Sequence, residues 1–422
     1  MNVIVKQRCR LCGSESLTPI LNLDKQMLAT AFSSNQKEDC FPLRKVPLEL
    51  VRCNPEIHQD ACGLVQLKHT FPSVLTYSEY WYLSGVNQTM RDALKEIADS
   101  VISMVDLKEG ETVVDIGCND GTLLNSYSIE GLDKIGFDPA QNLTGIKGET
   151  FHRVADFFNS AAYDKIRPSQ KAKIITSIAM FYDIDDPNSF VADIENILAE
   201  DGLWILQMAD LPNMLKFNMF DNICHEHLCY YHMAPLEILF KKHGLHIIDI
   251  EKNYINGSSY RIYIGKIGGL SPTEAGHERV MKVRFEEFNM GLDTDEPYNR
   301  FEENIVKNKH DLLFFLKQKK DEGKKVFVYG ASTKGNVLLQ YCGINTDLIE
   351  FAVERNPKKF GKKTIGTNIP IISEEKARKM SPDYFLVLPY HFIDEIQVRE
   401  KSFINAGGKF VIPVPKVRTL PE

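Results

Sequence analysis

The hydrophobic pattern divides the chain into three stretches of different texture. The first, up to about residue 75, holds short apolar runs broken by proline, such as 47–53, and lacks the periodicity of long helices. From about 85 to 270, amphipathic segments alternate with short apolar ones, and a second alternating run begins at Lys325. Alternation of this kind predicts parallel sheets with helices on both faces, so we expect an α/β fold.

Individual elements follow from the same pattern. In the central stretch we predict helices over 89–105 and from 122 onward, and strands over 112–116 and 134–137. An amphipathic helix over 302–320, strands over 325–330, 351–354 and 385–388, and a linker between 271 and 299 are predicted for the rest. These elements suggest three domains, which span residues 1–75, 76–270 and 271–422.

Composition agrees with this division and excludes several classes of protein. A length of 422 residues suggests two or three domains. The strongest apolar stretches, such as 203–206, are far shorter than the roughly 18 residues of a membrane span. With 50 basic against 57 acidic residues the net charge is −7, which disfavours a nucleic-acid surface. The segment before Cys9 is too short to contain the apolar core of a signal peptide, so we expect a cytoplasmic protein. The sequence does not determine the oligomeric state, and a monomer is plausible.

Four cysteines in the first stretch suggest a metal site. Cys9 and Cys12 are separated by two residues and followed by Gly13, as in a zinc knuckle, and Cys53 and Cys62 supply a second, wider pair. We predict a structural zinc held by these four thiolates, which leave no open position for chemistry. His58 is an alternative ligand. Buried thiols without metal are the competing interpretation, but a module this small has little apolar core and usually needs a metal or a disulfide for stability.

Residues 112–122 combine a buried strand, a glycine-rich loop and a helix start. Gly117 and Gly121 allow a ligand to approach the backbone, and Asp138 at the end of the next strand can accept hydrogen bonds from ribose hydroxyls. The loop lacks the Gly-x-Gly-x-x-Gly pattern of a pyrophosphate cradle, which leaves a nicotinamide cofactor or a purely structural turn as alternatives. The segment resembles the first motif of Rossmann-like methyltransferases, which bind S-adenosylmethionine (SAM). Candidate SAM contacts are Asp115, Gly117, Asn119, Asp120, Gly121, Thr122, Asp138, Pro139, Asp156, Phe157 and Ser177.

Residues 221–232 concentrate three of the eleven histidines of the chain. A bare His-x-His pattern fits a metal pair or surface residues as well as catalysis. His-Glu-His is not the His-Glu-x-x-His of zinc proteases. Downstream of a SAM site, an imidazole that takes a proton near neutral pH is the more economical interpretation.

The whole chain resembles the nucleotide-sugar C-methyltransferases, which join a zinc-binding module, a SAM domain and a C-terminal Rossmann-like domain. The resemblance is carried, in the order of the family, by residues 9–13, 62–67, 80–84, 115–122, 225–228 and 329–336. It implies methylation of a carbon next to the ketone of a nucleotide-linked 4-keto-deoxysugar, in deoxysugar or surface-polysaccharide biosynthesis.

The resemblance also implies roles for single residues. His227 corresponds to the base, Glu226 to a residue that orients it, and His225, Tyr82 and Tyr80 complete the catalytic and sugar-facing set. Further candidate substrate contacts are Cys224, Asn256, Ser258, Arg261, Lys334, Asn336 and Tyr390. Cys224 stands where many relatives have tyrosine, and Asn256-Gly-Ser-Ser259 replaces a His-Gly-Gly-Ser pattern.

The third stretch opens with a second strand, glycine turn and helix. Lys334, Asn336 and the helix N-terminus could meet the diphosphate of the substrate, as the family interpretation implies. A solvated turn and a dinucleotide site are the alternatives, and the dinucleotide fingerprint is weak because only one further glycine follows Gly330 in the motif. For the whole protein, the alternatives are methyl transfer to a sugar oxygen or nitrogen, an NAD-linked oxidoreductase, and a scaffold that binds zinc and SAM without catalysis.

Overall fold

The computed structural model describes residues 3–29, 32–33, 45–71, 77, 83–143 and 150–421. Within these ranges the strands of the N-terminal part are short and belong to small sheets. They are β1 Ile4–Val5, β2 Leu17–Gln26, β3 Phe32–Ser33, β4 Val46–Cys53, β5 Val65–Leu67 and β6 His69–Thr70.

The central part alternates strands and helices. Its strands are β7 Thr112–Ile116, β8 Asp133–Phe137, β9 His152–Val154, β10 Ala172–Ile178, β11 Leu198–Ala209, β12 Cys229–Tyr230, β13 Leu245–Asn253 and β14 Ser259–Lys266. Its helices are α1 Gln88–Met104, α2 Thr122–Asn125, α3 Ser160–Ile166, α4 Pro187–Ile197, α5 Leu211–Lys216 and α6 Met233–Lys242.

Two helices, α7 Glu274–Asn289 and α8 Glu296–Asp321, lead into the C-terminal part. Its strands are β15 Val326–Tyr329, β16 Ala352–Glu354, β17 Lys363–Thr364, β18 Ile371–Ser373, β19 Tyr384–Val387, β20 Lys409–Ile412 and β21 Arg418–Leu420. Its helices are α9 Thr333–Cys342, α10 Glu374–Lys379, α11 Ile393–Arg399 and α12 Lys401–Asn405.

The central sheet has the strand order β13-β14-β11-β10-β7-β8-β9. Neighbouring strands are parallel except at β14, which runs antiparallel to β11 and β13. The carboxyl ends of β7, β8, β10 and β11 therefore meet at one edge, where open α/β sheets bind ligands. The predicted helix over 89–105 and strands over 112–116 and 134–137 are confirmed as α1, β7 and β8.

Local sequence explains why α1 forms and which way it faces. The side chain of Asn87 accepts a hydrogen bond from Thr89 N and caps the first turn. Met90, Leu94, Ile97 and Val101 recur every three or four residues and are buried. This spacing gives the helix one apolar face, which packs on the sheet core.

The C-terminal sheet has the order β18-β16-β15-β19-β20-β21 and is parallel except for β21. The predicted helix over 302–320 is confirmed as part of α8, which buries Phe301, Ile305 and Leu312. The segment expected to be a linker, 271–299, instead contains α7. Val280 and Val283 of α7 are buried in the same core cluster as Ile250 of β13, so apolar burial fixes this segment as a helix.

The three parts share structural elements. The strand order β12-β5-β4-β2 shows that β12, from the central part, completes the N-terminal sheet. Strand β3 pairs with β17 of the C-terminal part, and the Asn336 amide donates to the Ala29 carbonyl over 2.8 Å. Among the described residues, no helix is both long and apolar enough to cross a membrane.

Candidate active site and metal centre

The four cysteines of the N-terminal module converge on one point. The sulfur atoms of Cys9, Cys12, Cys53 and Cys62 all lie within 4.8 Å of one another. A tetrahedral zinc with bonds of about 2.3 Å to sulfur separates its ligands by roughly 3.8 Å, so this donor set fits zinc. His58 lies at the surface, with 58% of its side chain exposed and Nδ1 3.7 Å from Asp60 Oδ2.

The zinc module is joined directly to the His-Glu-His segment. Strand β12 pairs with β5 in antiparallel register, Cys229 opposite Gln66 and Tyr230 opposite Val65. Leu67 N also donates to Leu228 O over 2.9 Å. Because β5 begins three residues after Cys62, the cysteine cluster anchors the strand that holds the end of the histidine segment.

The predicted SAM loop begins where β7 ends. Asp115 is buried, and its Oδ1 accepts a hydrogen bond from Thr176 Oγ1 over 2.6 Å. Burial raises the pKa of Asp115 to about 7, with the Thr176 bond opposing the shift. Gly117 has φ of 76°, and a Cβ there would lie 3.2 Å from Met180 Cγ. Glycine suits this position mainly because its φ lies in the left-handed region, and a Cβ would also press on the Met180 side chain.

The polar side chains of the loop are tied to neighbouring backbone. Asn119 Oδ1 accepts from Ser84 N over 3.0 Å, and Asp120 Oδ2 accepts from Gly85 N over 2.7 Å. Asp138, 8% exposed at the end of β8, accepts from Asn119 N over 2.8 Å. A carboxylate has further lone pairs, so Asp138 retains the capacity to accept from a ribose hydroxyl. This edge of the sheet, with its open backbone and buried acid, fits SAM.

The remaining predicted SAM contacts have mixed surroundings. Thr122 begins α2, and Pro139 follows Asp138. Asp156 and Phe157 are exposed after β9, beside the end of β8. Ser177 is buried in the core, where its hydroxyl accepts from the Trp204 indole over 3.2 Å. All of these residues lie near the loop edge, and the hydroxyl of Ser177 is occupied there by the Trp204 indole.

Substitution of Gly121 should separate steric from conformational effects. At this glycine, φ is 77° and an added Cβ would lie 2.1 Å from the Phe151 ring; at Gly110, φ is 84° and nothing lies within 4 Å. We expect Gly121→Ala to weaken binding of S-adenosylhomocysteine at least about tenfold, because the loop or the Phe151 ring beside it must shift, a cost of about 1.4 kcal/mol or more. Gly110→Ala should leave the affinity measured by calorimetry near that of the wild type. Equal affinities in the two variants would contradict this account of the loop.

His227 lies in a small cavity above the carboxyl ends of β10 and β11. The cavity is lined by Tyr182, Ala209, Asp210, Met214, Asn222, His227, Cys229 and Tyr230. His227 Nδ1 is 2.7 Å from the Asn222 carbonyl oxygen. A carbonyl oxygen only accepts, so Nδ1 carries the hydrogen and Nε2 presents its lone pair. Burial, with the Lys334 charge second, lowers the pKa of His227 to about 4, which keeps the imidazole neutral.

The other two residues of His-Glu-His are both buried. His225 is buried, with Nε2 3.4 Å from Val46 O and its ring edge against Phe71. The Asn222 carbonyl accepts the hydrogen of His227 Nδ1, and the charge of Glu226 acts on the same imidazole by opposing the fall in its pKa. Glu226 is buried near Asp183, and burial together with the Glu226 charge raises the pKa of Asp183 well above its usual value.

A second polar cluster joins the histidine segment to the C-terminal part. Tyr390 donates from its hydroxyl to Asp221 Oδ1 over 2.8 Å. Lys334, at the second position of α9, acts electrostatically on Asp221, Cys224 and His227. Burial lowers the pKa of Lys334, and the charge of Asp221 opposes that shift. Cys224 is 1% exposed beside this cluster.

The remaining predicted substrate residues are placed differently. Ser258 donates to Asp210 Oδ2 over 2.6 Å and so adjoins the cavity. Arg261 is buried in the sheet, where its nitrogens donate to Glu96, Glu251 and Gln207. The Asn336 amide donates a hydrogen bond to the Ala29 carbonyl, and Asn256 lies in a turn after β13. Tyr80 and Tyr82 lie outside the described residues.

Three residues of this site are absent from the sequence-based set. Asn222 supplies the carbonyl that fixes the imidazole, Tyr182 places its ring 4.3 Å from that of His227, and Asp183 adjoins Glu226. Tyr182 and Asp183 follow the end of β10 at the ligand-binding edge, and this position in the sequence could have marked them as site residues. A backbone carbonyl carries no sequence signal.

Three family models match the chain in succession. They are described as "Putative zinc binding domain" over residues 9–77, "Methyltransferase domain" over 82–250 and "C-methyltransferase C-terminal domain" over 254–415. The C-methyltransferase NovU of Streptomyces niveus is 28% identical over 417 residues, covering 98% of this chain and 96% of its own.

Solved methyltransferase structures match less of the chain. The magnesium protoporphyrin IX methyltransferase of Synechocystis PCC 6803, with S-adenosylhomocysteine bound, is 15% identical with a TM-score of 0.33, covering 43% of this chain and 88% of its own. A SAM-dependent methyltransferase of Clostridium acetobutylicum is 14% identical with a TM-score of 0.32, covering 42% and 92%.

The family models confirm the predicted combination of a zinc-binding module, a Rossmann-like methyltransferase domain and a C-terminal α/β domain. SAM as cofactor and a structural zinc are confirmed with it, and the four-cysteine cluster agrees. The chain is therefore a SAM-dependent methyltransferase that carries a zinc-binding domain and a C-methyltransferase C-terminal domain.

Proposed function

We propose that the protein methylates a carbon next to the ketone of a nucleotide-linked 4-keto-deoxysugar, with His227 as the base. The observation that carries this proposal is the contact between His227 Nδ1 and the Asn222 carbonyl, which leaves Nε2 free to take a proton. The cavity around His227 lies at the same sheet edge as the SAM loop. In this proposal the base and the methyl donor meet at that edge of the sheet.

The proposed substrate explains why an imidazole suffices as base. An unactivated C–H bond is far too weak an acid, whereas a carbon next to a ketone forms an enolate whose charge rests on oxygen. His227 Nε2 removes that proton, and the positive charge of Lys334 lies close enough to act on the same cavity. SAM, when bound, supplies the methyl group from its sulfonium. The task of the protein is then to position the carbon for in-line attack.

The C-terminal domain offers a place for the nucleotide end of this substrate. A cavity of about 150 Å³ lies at the carboxyl ends of β15, β16 and β19, lined among others by Gly330, Glu354, Arg355 and Arg399. Asn87, which precedes α1, also lines it, so the cavity faces the SAM domain. Ligands of open α/β sheets bind at such edges. We propose that the nucleotide occupies this cavity and that Lys334 meets the diphosphate or the sugar.

Assays with a panel of dTDP-, GDP-, CDP- and UDP-linked 4-keto-deoxysugars test the proposal. We expect turnover with one nucleotide class and a product whose new methyl group is bonded to carbon, as shown by NMR. A methyl group found on oxygen or nitrogen would favour the alternative reaction, in which His227 deprotonates a hydroxyl or an amine. Turnover of none of the keto sugars, by a protein that binds S-adenosylhomocysteine, would contradict the substrate class.

The pH dependence should report the environment of His227. Because its pKa is lowered to about 4, the base is neutral above pH 5, and kcat/KM should rise with pH through about 4 and then stay level. Lys334→Met removes a positive charge that disfavours the imidazolium, so the pKa of His227 should rise towards 6.5. The acid limb of the kcat/KM profile should move to higher pH with it. Lys320→Met, at the exposed end of α8, is the matched control and should leave the limb in place. An unchanged limb in Lys334→Met would show that this charge does not act on the base.

A further inference from the structure

The turn that carries the orienting carbonyl is short and anchored by few bonds of its own. Phe220–Asn222 forms a single 3-10 turn in which all three residues are buried. Its local backbone bonds are Phe220 N to Asn218 O at 2.9 Å, Asn222 N to Met219 O at 3.1 Å and Ile223 N to Phe220 O at 3.0 Å. A three-residue turn of this kind has poorer hydrogen-bond geometry than an α-helix, so side chains must fix its orientation.

Those side-chain anchors come from the C-terminal domain. The Phe220 ring packs edge-on against Tyr341 of α9, with ring centroids 5.7 Å apart. Asp221 Oδ1 accepts from the Tyr390 hydroxyl at 2.8 Å, a bond that joins residues 169 positions apart. Asp221 is 1% exposed, and a buried carboxylate requires such a donor. One residue further along the turn, the Asn222 carbonyl contacts His227 Nδ1.

We propose that Tyr390 is a positioning residue for the base. Its hydrogen bond to Asp221 fixes the turn Phe220–Asn222, and the turn fixes the tautomer and orientation of His227. The inference rests on the proposed role of His227 and deepens it, because the domain proposed to hold the nucleotide end of the substrate also sets the geometry of the base. Tyr390 then acts through Asp221 and Asn222 and is not itself a substrate contact.

The first arm of the test uses the full-length protein with its zinc and needs no substrate. Long-range proton–nitrogen NMR of protein labelled with ¹⁵N-histidine identifies His227 by the signal lost in His227→Asn. The wild type should show hydrogen on Nδ1 alone. Tyr390→Phe should broaden or shift this signal, and Tyr384→Phe, a partly buried tyrosine of β19, should not. A His227 signal unchanged in Tyr390→Phe would overturn the inference.

The second arm is kinetic and uses the keto sugar that the panel identifies. Tyr390→Phe should lower kcat about tenfold, the loss of one hydrogen bond to a charged group, with KM unchanged and only a modest fall in melting temperature. Asp221→Ala should lower kcat by the same factor, and the double variant should have a kcat no lower than that of either single variant. Asp221→Asn keeps an acceptor and should recover most of the wild-type kcat. A raised KM with unchanged kcat would make Tyr390 a substrate contact and overturn the inference. If no keto sugar is turned over, the proposed substrate fails, while the NMR arm still decides this inference.

Discussion

Replacement of His227 by Asn should lower kcat by about 10² to 10⁴-fold, the usual contribution of a general base. Asparagine keeps an N–H group that can donate to the Asn222 carbonyl, but it has no nitrogen that takes a proton. The SAM loop lies at the ends of other strands, β7 and β8, so the affinity for S-adenosylhomocysteine should change by less than about twofold. Steady-state kinetics and titration calorimetry measure the two quantities.

His277→Asn is the matched control, because His277 is exposed on α7. It should leave both kcat and affinity as in the wild type. Near-normal turnover in His227→Asn would remove this residue from the role of base. A parallel loss of affinity and rate would instead indicate that the substitution disturbs the whole sheet edge.

Loss of zinc should abolish turnover through the structure of the N-terminal module. Apparent binding free energies of structural zinc are about 10–16 kcal/mol, so Cys12→Ser, which removes one of four ligands, should release the metal and unfold the module. Strand β5 would then no longer pair with β12, and the segment that follows His227 would lose its anchor. We expect about one zinc per chain in the wild type and almost none in the variant, with a markedly lower melting temperature.

Cys342→Ser provides the comparison, since Cys342 is buried at the end of α9, away from the cluster. It should keep its zinc and most of its activity, with the modest destabilisation of a buried polar substitution. Metal analysis that finds no zinc in active wild-type protein would contradict the structural role of this site. A zinc-free Cys12→Ser protein with normal turnover would contradict the coupling between β5 and the histidine segment.

Much of the fold could be predicted because its signals are local. Helix α1 and strands β7, β8 and β15 have apolar periodicities and caps that can be recognised within their own residues. Strand β12 has only two residues and exists because it pairs with β5, more than 160 positions earlier. The predicted linker over 271–299 is wrong at α7, because Val280 and Val283 can be recognised as core residues only once they pack in the same cluster as β13.

The site divides in the same way. Glycines 117 and 121 and Asp138 lie at the predicted strand ends, since loop chemistry depends on neighbours along the chain. Arg261 is a candidate substrate contact by sequence, but the fold places Glu96 and Glu251 against it. The orienting contact to His227 comes from the backbone of Asn222, which any residue could supply. Sequence therefore indicates which chemistry is available, and tertiary contacts decide which groups remain free to perform it.

The central claim, that His227 removes a proton from carbon, is tested most directly by solvent exchange. The protein is incubated with its nucleotide-linked 4-keto sugar in D₂O without SAM, and the sugar is analysed by NMR. Deuterium should replace the hydrogen on the carbon next to the ketone with wild-type protein and with His277→Asn, and not with His227→Asn. Methylation of that carbon on adding SAM, with no exchange beforehand and none that depends on His227, would contradict the enolate mechanism.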